Sequence, residues 1–232
     1  MVSTSFPTFP HLEESLNTRG YALLPRLLNE QTCAELRHLY NQPALYRNVI
    51  NMERYRFGRG EYKYFTYPLP ALVQSLREQL YPLLAPVANR WMEVLGEQVR
   101  FPSQHAAFIA HCHEQKQMRP TPLILRYEQG GFNTLHQDLY GSVYFPFQVA
   151  FALSQHQHDY EGGEWVLTEQ VPRAQSKAEV IIPALGDALV FTTHFRPVKG
   201  TRGYYRAHVK HGVSEVRKGE RYALGIIFHD AA

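Results

Sequence analysis

The 232-residue chain reads as a mainly β protein, a jelly-roll barrel carrying N-terminal supporting helices and so α+β overall. Three observations predict this. From about Pro120 onward there are eight short β-type runs: Leu123–Tyr127, Asn133–Asp138, Gln148–Leu153, Glu164–Thr168, Glu179–Ile182, Ala188–His194, Tyr205–Val216 and Tyr222–Phe228. Glycine-bearing turns separate them, among them Gln129-Gly130-Gly131, Glu161-Gly162-Gly163, Leu185-Gly186-Asp187 and Lys218-Gly219-Glu220. That leaves no room for the crossover helices of a parallel sheet, so the strands must close on themselves or stack as two sheets. Before Pro120, apolar residues instead recur at helical spacing.

Taken in order, the first hundred residues read as helical with interruptions. His11-Leu12-Glu13 stands at a helical start. Asn29 is a good N-cap, Leu28 and Cys33 form a hydrophobic staple across it, and Leu36, Leu39 and Tyr40 continue the period to a stop near Pro43. A second helical run, through Leu72, Val73, Leu76 and Leu80, is opened by Pro70 and ended by Pro82; a third runs from Val87 to Leu95 and stops at Gly96. The expectation is one domain over 1–232, divided into a helix-rich support at 1–118 and a catalytic jelly-roll core at 119–231.

Composition excludes several classes. With 44% hydrophobic and 19% charged residues, the chain has the material for a real core and no disorder signature. No apolar stretch is long enough to span a bilayer, and the N-terminus has neither a basic nor an apolar signal region. With only Cys33 and Cys112 there is no disulfide framework, and the expected compartment is the cytoplasm. The formal charge of +3 permits an anionic partner without requiring one, and the 12 histidines direct attention to metal or acid–base chemistry.

The pair His136-x-Asp138 lies at the end of the second β run. Residues two apart on a strand share a face, and an imidazole and a carboxylate inside a barrel need a cation or partner to compensate them. A third ligand would complete two His and one carboxylate on one face of an octahedron, which suits non-haem Fe(II). The seventh run offers His208 and His211, three apart, so only one of them points inward. Arg221 favours His211: it opens the eighth run on a face continued by Ala223 and Gly225, small residues that leave room for a ligand. Its planar guanidinium fits a carboxylate.

His136-x-Asp138, then His211 75 residues on and Arg221 ten beyond that, resemble the 2-oxoglutarate/Fe(II)-dependent oxygenase superfamily. The resemblance implies a double-stranded β-helix (cupin-like) with His136, Asp138 and His211 holding Fe(II). Arg221 and Tyr127 would bind the cosubstrate 2-oxoglutarate, which is oxidised with O2 to succinate and CO2 as the substrate is hydroxylated or oxidatively demethylated. Arg126-Tyr127 and Leu135-His136-Gln137-Asp138 are similar to AlkB-type nucleic-acid demethylases. Two positions depart from that pattern, Leu125 standing where those enzymes have asparagine and Ile227 where they have a second arginine, and the ten-residue spacing of His211 and Arg221 resembles prolyl hydroxylases. The phrases FGRGEYKYF, LHQDLYG, RPVKGTRG and RYALGIIFHD resemble a bacterial family of nucleic-acid-acting oxygenases across nearly the whole chain. Single-stranded or damaged nucleic acid is thus one expected partner. A protein side chain or small molecule is the alternative, and a non-catalytic metal-binding module the third reading.

Other features have two readings each. Residues 46–67 hold seven aromatics and five basic residues against two acids, a pattern for base stacking or for packing on the barrel. From Ala188 to Ser214 there is no acid against five cations, through chance or for a polyanion. His111-Cys112-His113 lacks further zinc-spaced ligands, as does His156-Gln157-His158, which reads as a solvated loop. His194 faces either pocket or core, and Tyr140 and Tyr144 are either substrate lid or loop anchors.

Overall fold

The computed structural model describes residues 9–232; the signal-free reading of the chain's first eight residues lies outside them. The N-terminal half supplies α1 (Leu12–Arg19), β1 (Tyr21–Leu24), α2 (Glu30–Leu39), β2 (Tyr46–Asn51), β3 (Gly58–Arg59), β4 (Glu61–Phe65), α3 (Ala71–Val94) and α4 (His105–Glu114). There follow β5 (Leu123–Tyr127), β6 (Phe132–His136), β7 (Phe147–Ala152), β8 (Tyr160–Gly162), β9 (Trp165–Gln170), β10 (Lys177–Ile181), β11 (Ala188–Thr192), β12 (Phe195–Gly200), β13 (Gly203–Val213), β14 (Val216–Gly219) and β15 (Arg221–Ile227). A major sheet runs β1-β11-β7-β15-β5-β4-β2, and a minor sheet runs β10-β9-β13-β6-β3 with β12 on β13; β14 and β8 pair separately. Every registered strand pair is antiparallel, the double-stranded β-helix arrangement.

The central strand β7 shows how the layers form. All its residues are buried. Phe147, Val149 and Phe151 join the core that α3 and α4 cover, beside Trp91, Tyr81 and Phe108. The alternate Ala150 and Ala152 face the interior between the sheets, with Trp165, Leu167, Leu189 and Phe191. Period-two alternation thus sends large side chains to the helix layer and small ones inward, where a cavity remains.

Several sequence expectations hold and several are corrected. Asn29 caps α2, its Oδ1 accepting from Thr32 N at 2.8 Å. Both cysteines are buried and free. The break at Pro82 is wrong: α3 is one helix containing Pro82 and Pro86. Both prolines lie on its exposed face, so the carbonyls they leave without partners, of Glu78 and Pro82, belong to exposed residues, while Leu80, Tyr81, Leu84, Ala85 and Ala88 on the other face hold the helix to the core. The stretch that reads as interrupted helix also holds strands that were not expected: β1, β2 and β4 complete the major sheet and β3 edges the minor one. Their long-range pairing, not local period, decides them. The second β run ends at His136, before Asp138, and β8, β12 and β14 were not expected.

Behind the major sheet, His105 is 3% exposed, with Nε2 2.9 Å from the Phe228 carbonyl. Burial, then the Arg77 charge, pushes its pKa from 6.5 down to about 4. The unfolded chain therefore takes up a proton that the native state refuses. Stability from this group is complete above pH 6.5 and is lost as pH falls toward 4, by about 3 kcal/mol. Urea melts across that interval should show the loss, and His105→Gln should reduce its slope without abolishing it, since burial lowers His229 over the same interval; an unchanged slope would remove the assignment.

Candidate active site

β13 and β6 lie side by side with His211 opposite His136, ring centroids 4.1 Å apart. Gln137 fixes the chain just beyond the strand, its Nε2 donating to the His194 and Val209 carbonyls at 2.9 and 2.8 Å. Asp138 therefore still turns inward. Its Oδ1 is 3.6 Å from His136 Nε2, and its Oδ2 is 3.2 Å from His211 Nε2. One donor atom from each residue lies within 4.8 Å of the other two. His136 Nδ1 donates to Thr134 O at 2.8 Å, which leaves Nε2 with a free lone pair facing the group.

The electrostatics suit a cation. Burial, with His211 beside it, lowers the His136 pKa and keeps the ring neutral, the form that ligates. Burial pushes the Asp138 carboxyl up, yet His211, His136 and Tyr140 outweigh it and hold it well below the usual carboxylate range. Tyr140 donates its hydroxyl to Asp138 Oδ1 and accepts one from Tyr64 at 3.0 Å. Burial and the Asp138 charge keep the Tyr140 hydroxyl protonated.

These residues open on a cavity of about 220 Å³, also lined by Tyr62, Leu125, Gln148, Trp165 and Arg221. At its inner end Arg221 is 1% exposed and pairs across β15 and β5 with Tyr127. The guanidinium lies 3.7 Å from the Trp165 ring centroid. Gly163 (φ +62°) makes the approach possible, since a Cβ there would sit 2.9 Å from Arg221 Cδ. Arg221 Nε and Nη2 and the Tyr127 hydroxyl are buried without hydrogen-bond partners. Burial raises the Tyr127 pKa to about 12, so its hydroxyl remains a donor at neutral pH. A cluster of unmet donors around a buried cation is the complement of a carboxylate.

Sequence reasoning selected His136, Asp138, His211, Arg221 and Tyr127, and the structure brings all five to one cavity. His208 sits apart, its ring 5.1 Å from His194. His158 is solvated as expected, but His156 is not: its side chain is 12% exposed and lies 4.0 Å from Glu164. His111 and His113 lie on α4, and His113 bonds Asp230 instead of joining a metal cluster. Two of the acid-free segment's cations find internal carboxylates, Arg196 with Glu169 and Arg206 with Glu97. Trp165, Gln148 and the Tyr64–Tyr140 bond were missed. Of these, only Tyr140, two residues after Asp138, gave any local signal.

Residues 60–231 match the model of a family described as an oxygenase catalysing oxidative methylation of damaged DNA. The chain belongs to this oxygenase family. It is an oxidoreductase, a dioxygenase on a double-stranded β-helix with a His–Asp–His cluster fit for iron. The oxygenase is 46% identical over 168 residues to an uncharacterized protein of Mycobacterium tuberculosis, covering 72% of each chain. In fold it is similar to a prolyl-4-hydroxylase of Pseudomonas putida (TM-score 0.57, 13% identity, 95% and 97% of the two chains). It is likewise similar to an oxidoreductase of the 2OG-Fe(II) oxygenase family from Burkholderia pseudomallei (TM-score 0.53, 18% identity, 98% and 97%). Among the described residues no helix is long and apolar enough to cross a membrane.

Proposed function

We propose that the oxygenase uses Fe(II), held by His136, Asp138 and His211, and 2-oxoglutarate, held by Arg221 and Tyr127, to hydroxylate or oxidatively demethylate a nucleic-acid base. The observation that carries this is the joining, in one cavity, of a two-histidine, one-carboxylate cluster and a buried, unpaired guanidinium. One cavity lined by both the cluster and Arg221 suits a short dicarboxylate anchored at one end by Arg221 and meeting a metal at the other. Fe(II) with O2 and 2-oxoglutarate supplies the oxidising power for a C–H bond.

The chain's own residues do the rest. Thr134 O fixes the His136 tautomer, and Tyr140 takes one lone pair of Asp138 Oδ1, directing its remaining capacity toward the histidines. Trp165 and Gly163 hold the guanidinium where only an anion entering the cavity can pair it. Leu125, Phe191 and Val213 give that cavity apolar walls that exclude water. The family description supports damaged DNA as the substrate class.

Purified protein supplied with Fe(II), 2-oxoglutarate and O2 should release succinate, and chelation of the iron should stop it. A methylated single-stranded oligonucleotide should raise the rate and lose its methyl group or gain an oxygen. Absence of succinate under all these conditions would overturn the chemistry; succinate coupled only to peptide hydroxylation would overturn the substrate.

A further inference from the structure

We propose that residues 52–59 form a finger that grips single-stranded nucleic acid at the mouth of the cavity, Tyr55 and Phe57 stacking on bases and Arg54 and Arg56 meeting phosphates. The proposal rests on the nucleic-acid reading above and names the element that would deliver the strand.

The finger is firmly rooted. Met52, 0% exposed, packs with Tyr127, Val213 and Val216. The Asn51 side chain caps a single 3-10 turn over Met52–Tyr55, and Phe57 N closes on the Met52 carbonyl at 3.0 Å. The Phe57 carbonyl accepts from both the backbone N and the hydroxyl of Thr134, each at 2.8 Å. Thr134 is the residue whose own carbonyl holds His136 Nδ1. Finger and candidate metal ligand are thus bonded to one residue, so a base held by the finger lies in fixed register with the cluster.

Its tip is unlike a packed loop. Tyr55 is 56% exposed and Phe57 46% exposed, and their rings stack at 5.5 Å with an interplanar angle of 19°. Arg56 between them is left-handed (φ +60°), the turn that brings two nearby rings onto one side. Phe57 also lines the cavity. Glu53 pairs with Arg59 at 3.5 Å, while among the described residues Arg54 and Arg56 have no carboxylate partner. Scattered exposed aromatics are ordinary. Two stacked rings flanked by two unpaired guanidiniums, at the rim of a catalytic cavity, have the chemistry of a base-and-phosphate platform. A duplex hides its base faces, so the rings select a single strand or an extruded base.

The test is fluorescence anisotropy with a labelled oligothymidylate across a salt series, on the full chain. Tyr55→Ala should weaken binding roughly ten-fold with the salt slope unchanged, and Tyr55→Trp should restore it. Arg54→Ala with Arg56→Ala should lower the slope of log K against log salt by about 1.4, at about 0.7 per phosphate contact. Thermal melting of each variant confirms that it is folded. If wild type binds and all variants match its affinity and slope, the finger is overturned while the substrate reading stands. If wild type shows no single-strand binding at low salt, both fall.

Discussion

Arg221→Ala is expected to abolish 2-oxoglutarate turnover while leaving the ligand-free protein as stable as wild type or more so. The two effects have one cause. The guanidinium is buried on the Trp165 ring with Nε and Nη2 unpaired, so in the absence of an anion it is a desolvated charge without a carboxylate partner, compensated only in part by the ring. Its removal relieves that cost in the free protein. With 2-oxoglutarate bound, the same change deletes a charge-assisted pair and leaves a buried carboxylate alone, a loss of about 2–5 kcal/mol, or roughly 30-fold to several-thousand-fold in affinity. Arg221→Lys should recover little, because a compact ammonium neither stacks on an indole nor presents a planar fork. Thermal shift separates this from a merely structural role. Wild type should gain about 2.7 kcal/mol at a 2-oxoglutarate concentration one hundred times its Kd, measured with a redox-inert divalent metal, and the alanine variant nothing. A variant that melts far lower without ligand, or that still responds to 2-oxoglutarate, would remove Arg221 from the binding site. His136→Ala should abolish turnover by the other route, loss of metal, with the Arg221 pocket intact.

The candidate site was more legible in the sequence than the fold around it, for a physical reason. His136, Asp138, His211 and Arg221 lie in or beside strands, where alternation fixes which side chains share a face, so spacing carries geometry. The separation of His208 from His211 follows from that rule. What was not legible depends on contacts far apart in the chain. β1 pairs with β11 through Tyr21↔Phe191 to Leu24↔Ala188, and β4 pairs with β5, yet both lie in a stretch whose local texture reads as interrupted helix. The prolines of α3 mislead for a related reason: the rule that proline ends a helix assumes the freed carbonyls have nowhere to go, and here both belong to exposed residues. Trp165 is also silent, since its role as a surface for Arg221 needs Gly163 and the return of β15 to bring the guanidinium over it. His156 shows the converse error. A polar loop composition suggested solvation, but the loop folds back so that its ring meets Tyr160 at 5.3 Å.

The largest stability effect is expected at Asp230, on the helix side of the major sheet. Arg77 on α3 is 0% exposed and reaches the segment after β15. Its Nε donates to the Ile227 carbonyl and its Nη2 to the Phe228 carbonyl, both at 3.0 Å, and Nη2 also pairs with Asp230 Oδ1 at 2.8 Å. Asp230, likewise 0% exposed, accepts further from Tyr67 at 2.9 Å and from His113 of α4 at 2.9 Å. One carboxylate thus ties α3, α4 and the end of the major sheet together. Asp230→Ala leaves the guanidinium buried with no counter-charge and should cost about 3–5 kcal/mol. For a domain whose total stability is of order 5–15 kcal/mol, that is a substantial fraction. Arg77→Met combined with Asp230→Ala should recover much of the loss, because removing both ions also removes the desolvation that burdens either alone. The comparison isolates the pair: if the double variant is less stable than Asp230→Ala alone, the carbonyl bonds of Arg77 outweigh its charge. The measurement is urea unfolding at neutral pH. Only below pH 3.8 should the cost shrink: burial pushes the Asp230 carboxyl up, but Arg77, His113 and Tyr67 outweigh it and hold it below that ordinary value, so the stability it contributes is complete above 3.8 and is lost as pH falls through the lowered value.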